Sequence, residues 1–192
     1  MLEDNQIYII VDIELNGLTP GEHSMLSLAA VASTADEEVG SFYKKVQPLE
    51  ELSADPETME WWKTEPEAWQ EVNTDAEPAA TVIEEFRKWT KSFGKSPVFV
   101  ASPLILDYPF IKWYLHKFGD EQLFEDFEPV QRTLDLASFT AGKLNTPLAK
   151  ARRMQLPPEM TQDMPNHSHK AIDDARGYGV LLRNVLKTRG GL

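Results

Sequence analysis

The chain opens on an apolar, largely β-branched run, Ile7 to Val11 within IYIIVDIELNG, which then gives way to two carboxylates, Asp12 and Glu14. The run has the composition of a strand buried on both faces. Side chains two apart on a strand share a face, so Asp12 and Glu14 project together, and Gly17 with LTPGEH supplies the turn that ends the strand. MLSLAAVAS (Met25 to Ser33) and EVGSFYKKVQP (Glu38 to Pro48) read as two more strands across short polar turns. Such a meander is antiparallel, with the first strand central.

The period then changes. Ser53 or Asp55 is placed to cap a helix that starts near Pro56 and carries ETMEWWK, and a second helical piece starts near Glu65. From Ala79 to Phe93, the spacing of Val82, Ile83, Phe86 and Trp89 predicts an amphipathic helix. A short buried strand is centred on Val98 to Val100. A helix follows from about Asp107, with Phe110, Ile111, Tyr114 and Leu115 inward and Gly119 as its terminator. A further strand is expected around Val130, then a helix over LDLASFTAGKL. The proline-rich stretch from Asn145 to Asn166, with Lys150, Arg152 and Arg153, reads as a long loop. The last segment predicts one helix with Ala171, Ala175, Val180, Leu181 and Val185 towards the core, ahead of a frayed RGG tail. Antiparallel strands first, then strands alternating with helices, predict a mixed five-stranded α/β sheet flanked by helices, in a single domain over residues 1–192.

Composition narrows the function classes. With no cysteine, disulfides, thiolate-bound zinc and thiol chemistry are excluded. The polar start MLEDNQ is no targeting peptide, and no apolar run approaches the roughly 20 residues of a membrane helix, so a cytoplasmic protein with no membrane partner is expected. Thirty-one acidic against nineteen basic residues leave a net charge of −12. That field repels a long nucleic-acid duplex, while a short strand can still enter a cleft whose sign a metal ion reverses.

Asp12 and Glu14 are the first candidate chemistry: two like charges side by side in a core are costly unless a cation sits between them. The plainer alternative is a strand whose end emerges into solvent. Asp107 reads equally as a helix-capping aspartate. Near the C-terminus, HSHKAIDD places Lys170 and Asp174, and His169 and Asp173, four apart, as on a solvated helix face; a start of the helix just after His169 lets His169 and Asp174 border one cavity. Trp61 and Trp62 are adjacent on a helix and so point about 100° apart, one towards the core and one free to stack on a base.

Together, D-x-E at Asp12 and Glu14, an aspartate at 107 and H-x-A-x-x-D ending at Asp174 stand in an order that resembles the DEDDh branch of the DnaQ-like 3′-to-5′ exonucleases, in the ribonuclease H-like fold. The likeness runs from about residue 7 to residue 188. DIELNGLTP and HKAIDDAR are similar to oligoribonuclease, and PETMEWWKTEPEA to a subgroup of phage and mycobacterial exonucleases with a WW element. Asn16 stands where the family often has threonine, and Ser102 and Pro103 where many members have asparagine.

The resemblance implies that Asp12, Glu14, Asp107 and Asp174 hold two divalent ions, Mg²⁺ or Mn²⁺, with Asp12 bridging, and that such a pair, about 3.5–4 Å apart, stabilises both the attacking and the leaving oxygen. It implies His169, rather than the competing His167, as general base, and Leu15 and Asn16 as contacts to the terminal nucleotide. The partner implied is the 3′ end of a single strand, with RNA or short oligonucleotides ahead of DNA, and Lys150, Arg152 and Arg153 along its phosphates. A proofreading-type DNA exonuclease is the nearest alternative, and a non-catalytic binding module on the same fold a more distant one. Relatives are often homodimers, for which Trp69 or Trp113 would serve an interface.

Overall fold

The structure is a computed structural model that describes residues 6–94, 97–119 and 132–188. Strands β1 (Tyr8–Leu15), β2 (Met25–Ser33), β3 (Glu38–Lys45), β4 (Val98–Ala101) and β5 (Thr133–Asp135) form one sheet in the order β3-β2-β1-β4-β5. The first three pair antiparallel, β4 runs parallel to β1 and β5 parallel to β4. Helices α1 (Pro56–Trp62), α2 (Pro66–Asn73), α3 (Ala79–Lys91), α4 (Leu104–Phe118), α5 (Leu136–Leu144), α6 (Pro158–Thr161) and α7 (Ala171–Lys187) complete the described elements. No helix among the described residues is long and apolar enough to cross a membrane.

The central position of β1 explains its unbroken apolar run, since helices cover both faces of the sheet. Ile9, Val11, Ile13 and Leu15 point to one side and pack with Val82, Ile83 and Phe86 of α3 and Phe110, Ile111 and Tyr114 of α4. Tyr8 and Ile10 point to the other and pack with Ala171, Ala175, Leu181, Leu182 and Val185 of α7. Every residue of β2 is buried. Its small side chains Ala29, Ala30 and Ala32 let helices approach closely on both sides.

Four features differ from the sequence reading. β3 ends at Lys45; beyond it Val46 N–H donates to the Leu26 carbonyl at 2.7 Å and Val46 forms an isolated bridge with Glu77. The α4 helix begins at Leu104, three residues before Asp107, because its first turn is capped from elsewhere: Asp135 Oδ2 accepts the Leu104 N–H at 3.0 Å, while its Oδ1 accepts Ser138 N–H at 2.8 Å and caps α5. The long loop is partly ordered into 3₁₀ turns at Leu148–Lys150 and Arg153–Gln155 and into α6. In α7, Val180 is half-buried and Ile172 and Leu182 fill the interface. The strand expected around Val130 and the RGG tail lie outside the described residues.

Candidate active site

The alternation of β1 carries Asp12 and Glu14 onto the face already occupied by Tyr8 and Ile10, the face that α7 covers. Asp174, on the first turn of α7 between the buried Ala171 and Ala175, descends onto the same spot. One carboxylate oxygen from each of Asp12, Glu14 and Asp174 lies within 4.8 Å of the others. Asp107 comes from α4. The β4 strand pairs with β1 only from Tyr8 to Ile10, so beyond it the Ile13 N–H is open at that edge, and Asp107 Oδ1 accepts it at 3.2 Å. The capping role that sequence allowed for Asp107 belongs instead to Asp135.

These carboxylates sit where charge is costly. Burial, and then the charges of Asp107, Glu14 and Asp174, hold Asp12 well above the usual carboxylate range, with Arg153 opposing. Burial and the charges of Asp174 and Asp107 push Glu14 up to about 9. Burial raises Asp107 to about 7 despite the Ile13 N–H bond. Such a cluster either keeps protons or takes a cation. Its donors are all carboxylate oxygens, the set that suits a hard divalent ion, so Asp12, Glu14 and Asp174 fit the implied metal centre, with Asp107 beside them.

Positive and aromatic groups close the site on the α7 side. Asp174, 1% exposed, accepts through Oδ1 from Arg153 Nη1 at 2.6 Å and faces His167 Nδ1 through the same oxygen at 2.7 Å. Neither the Lys170–Asp174 nor the His169–Asp173 pair is formed, because α7 starts at Ala171 and both partners precede it. Lys170 instead lies over the Tyr43 ring, and Asp173 accepts from Ser168 Oγ. His169, with a backbone φ of 53°, precedes α7 with its ring against His167 and Trp61, centroids 4.2 and 4.9 Å away. Burial and His167 hold it below the ordinary histidine range.

The two tryptophans divide as adjacent helical residues must. Trp62 is 1% exposed and donates Nε1–H to the Leu15 carbonyl at 2.8 Å, while Trp61 is 39% exposed. Asp55 starts this helix by accepting Thr58 N–H, and its own N–H bonds the Asn16 carbonyl, which ties α1 to the end of β1. Asn16 Oδ1 accepts Ser24 N–H at 2.6 Å, so this buried side chain fastens the turn. Gly17 has no substitute there: a Cβ would lie 2.3 Å from the His23 ring.

Two cavities flank the carboxylates. One, of about 350 Å³, is lined by Glu14, Leu15, Leu18, Thr58, Trp61 and Leu106. The other, of about 640 Å³, is lined by Ser102, Pro103, Arg152, Arg153, His167 and Tyr178. Of the basic loop residues, Lys150 is exposed, Arg152 is an exposed part of the second cavity's wall, and Arg153 is turned inward to Asp174. Trp69 is half-buried against Trp62, and Trp113 half-buried against Tyr114 with Lys117 over its ring. The contacts of Arg153 and His167 with Asp174 carry no signal in the sequence beyond the doubled histidine of HSH.

The chain is 26% identical over 190 residues to the 3′-5′ DNA exonuclease Cap18 of Escherichia coli, covering 97% of this chain and 95% of that protein. Its fold is similar to E. coli Exonuclease I in complex with a dT13 oligonucleotide, with a TM-score of 0.73 at 12% identity over 95% of this chain and 41% of that one. It is also similar to the nuclease domain of 3′hExo, a DEDDh family member bound to rAMP, with a TM-score of 0.66 at 12% identity over 93% and 91% of the two chains. The family model described as Exonuclease matches residues 9–178, and with the carboxylates of β1 and α7 gathered inside that span the chain belongs to the exonuclease family.

Proposed function

We propose that this exonuclease removes 5′-mononucleotides one at a time from the 3′ end of a single strand, with Asp12, Glu14, Asp107 and Asp174 holding divalent metal. The observation that carries the reading is the convergence of three carboxylates, from β1 and α7, to within 4.8 Å between two open cavities, with Asp174 fully buried and the other two less so. Bound Mg²⁺ or Mn²⁺ would supply charge neutralisation at the scissile phosphate and polarisation of the attacking water. The chain's own residues do the rest. His169 is kept unprotonated near neutrality by burial and by His167, so it can accept the proton of the attacking water. The terminal nucleoside enters the smaller cavity, where Leu15, Leu18 and Leu106 offer apolar contacts and Trp61 an exposed ring for the base. Trp62 supports this floor by fixing the Leu15 carbonyl, and Asn16 by holding the turn.

The sugar is the finer question. The local likeness to oligoribonuclease favours RNA, and the near full-length likeness to a DNA exonuclease favours DNA; the broader coverage makes DNA the reading we carry forward. Degradation of 3′- and 5′-labelled RNA and DNA single strands with Mg²⁺, Mn²⁺ or EDTA tests both. Stepwise loss from the 3′ end that stops in EDTA and in His169→Ala supports the assignment, and binding without cleavage points to a non-catalytic module. Light scattering of the same preparation reads the homodimer that the family resemblance implies.

A further inference from the structure

Arg153 is the least expected member of the site. It lies in the loop between α5 and α7, and its side chain is only 12% exposed. The guanidinium is gripped on every side. Nη1 donates to Asp174 Oδ1 at 2.6 Å, Nη2 donates to the Pro165 carbonyl, and the Tyr178 ring lies 5.9 Å from Cζ. Its remaining flank rests on Gly177, one helical turn after Asp174. A Cβ at that position would lie 3.0 to 3.2 Å from Nη1, Cζ and Nη2, so glycine is the residue that leaves room for it. His167 Nδ1 meets the same Asp174 oxygen at 2.7 Å.

We propose that Arg153 is a positioning residue for the metal centre: it holds Asp174 by Oδ1 and thereby fixes the plane in which that carboxylate is offered, beside Asp12 and Glu14, to the divalent ion. The guanidinium donor and the His167 ring nitrogen converge on one oxygen and so hold the plane of the carboxylate more firmly than a single contact would. The arrangement also sets a cation beside a crowd of like charges, and Arg153 is the neighbour that lowers Asp12 where the other carboxylates raise it. A guanidinium suits the task because it stays charged and its fork spans the Asp174 carboxylate and the Pro165 carbonyl together. Arg153 thus makes the order of the loop, through Pro165, a condition for the geometry of a ligand on α7.

This inference rests on the reading of the carboxylate cluster as a metal site, and the experiment separates the two. Mn²⁺ binding to the full chain is measured by calorimetry without nucleic acid, for the wild type, Arg153→Gln, Arg153→Lys and Gly177→Ala. Arg152→Gln serves as control, its side chain lining the same cavity from an exposed position. Removal of a residue that orients a metal ligand typically weakens metal binding about 10- to 100-fold. That loss is expected for Arg153→Gln and for Gly177→Ala, which keeps both charges but displaces the guanidinium. Partial recovery is expected in Arg153→Lys, and no change in Arg152→Gln. The Mn²⁺ concentration for half-maximal turnover should rise in step while KM for the strand stays put. Unchanged or tighter Mn²⁺ binding in both Arg153→Gln and Gly177→Ala overturns the proposal, the tighter result marking Arg153 as a counter-ion that metal must displace. If Arg153→Gln does not fold, Gly177→Ala carries the test alone. A wild-type chain that takes up no Mn²⁺ overturns this inference and the metal reading together.

Discussion

The indole of Trp61 meets the ring of His169 edge-on, with the two ring centres 4.9 Å apart and the planes at 79°. The contact joins α1 to the residues just before α7, and it is one of the few restraints on a histidine whose backbone is in the left-handed region. An edge-to-face pair contributes about 0.5–1.5 kcal/mol. If that energy holds His169 in its working position, Trp61→Ala should lower kcat by up to about tenfold. Because Trp61 is 39% exposed and the buried Trp62 holds the helix down, the melting temperature should fall only slightly. Trp61→Phe, which keeps the aromatic edge, should retain most of the activity. Equal losses of rate and of stability in Trp61→Ala would show that the residue serves packing instead.

The buried carboxylates dictate how stability depends on pH. Glu14 at about 9 and Asp107 at about 7 in the folded chain lie above their unfolded values of about 4, so the native state binds more protons than the unfolded one between these limits. Their contribution is therefore complete below about pH 4 and is lost as pH rises through about 7 and then 9. In EDTA the melting temperature should fall steadily from pH 6 to pH 9. Saturating Mg²⁺ should flatten that slope, since the cation takes over from the protons. Melting curves across this range, with and without Mg²⁺, check both halves.

Asp12 gives the sharpest split between stability and function. Its charge is buried among three other carboxylates that all raise its proton affinity. Asp12→Asn removes that charge at constant shape, so the metal-free protein should melt at a higher temperature than the wild type at pH 8. The same change should cut exonuclease rate by about 10²- to 10³-fold, the scale on which removing one transition-state-stabilising group acts. Retained activity in this variant would move the metal centre elsewhere.

Asp135 caps two helices with one carboxylate, α4 through Leu104 N–H and α5 through Ser138 N–H. Each cap contributes about 1 kcal/mol, so Asp135→Ala should lose about 2 kcal/mol in urea unfolding. The first turn of α4 also carries Asp107, so activity should fall as well; Asp135→Asn, whose single amide oxygen can accept only one of the two N–H groups, should recover about half of the lost stability.

The architecture was legible where local pattern and burial agree. The period-two run of β1, the period-3.6 spacing of α3 and α7, and the D-x-E pair are written in short stretches of chain. Boundaries set by remote partners were not. The start of α4 depends on Asp135, thirty-one positions away, and a reading of neighbours alone moved the helix start to Asp107. The end of β3 depends on where its pairing with β2 stops, at Lys45 opposite Ser27.

For the site the division is the same. Sequence alone singled out the candidate side chains, because two like charges in an apolar strand are costly unless they keep protons or meet a cation, and the order of Asp12, Glu14, Asp107 and Asp174 resembles a known motif set. It determined also that of Trp61 and Trp62 one must be core and the other free. Only the tertiary structure decided who stands next to whom. The loop from Asn145 to Asn166 has no periodicity to read, yet it delivers Arg153 to Asp174 across twenty-one positions, through space that Gly177 leaves open. Likewise spacing along the chain favoured His169, while the bend before α7 brings His167 to the Asp174 carboxylate and His169 to Trp61. Periodicity reports which face a residue occupies; contacts between irregular segments and a helix end are fixed by packing in three dimensions, and that information is not local in the chain.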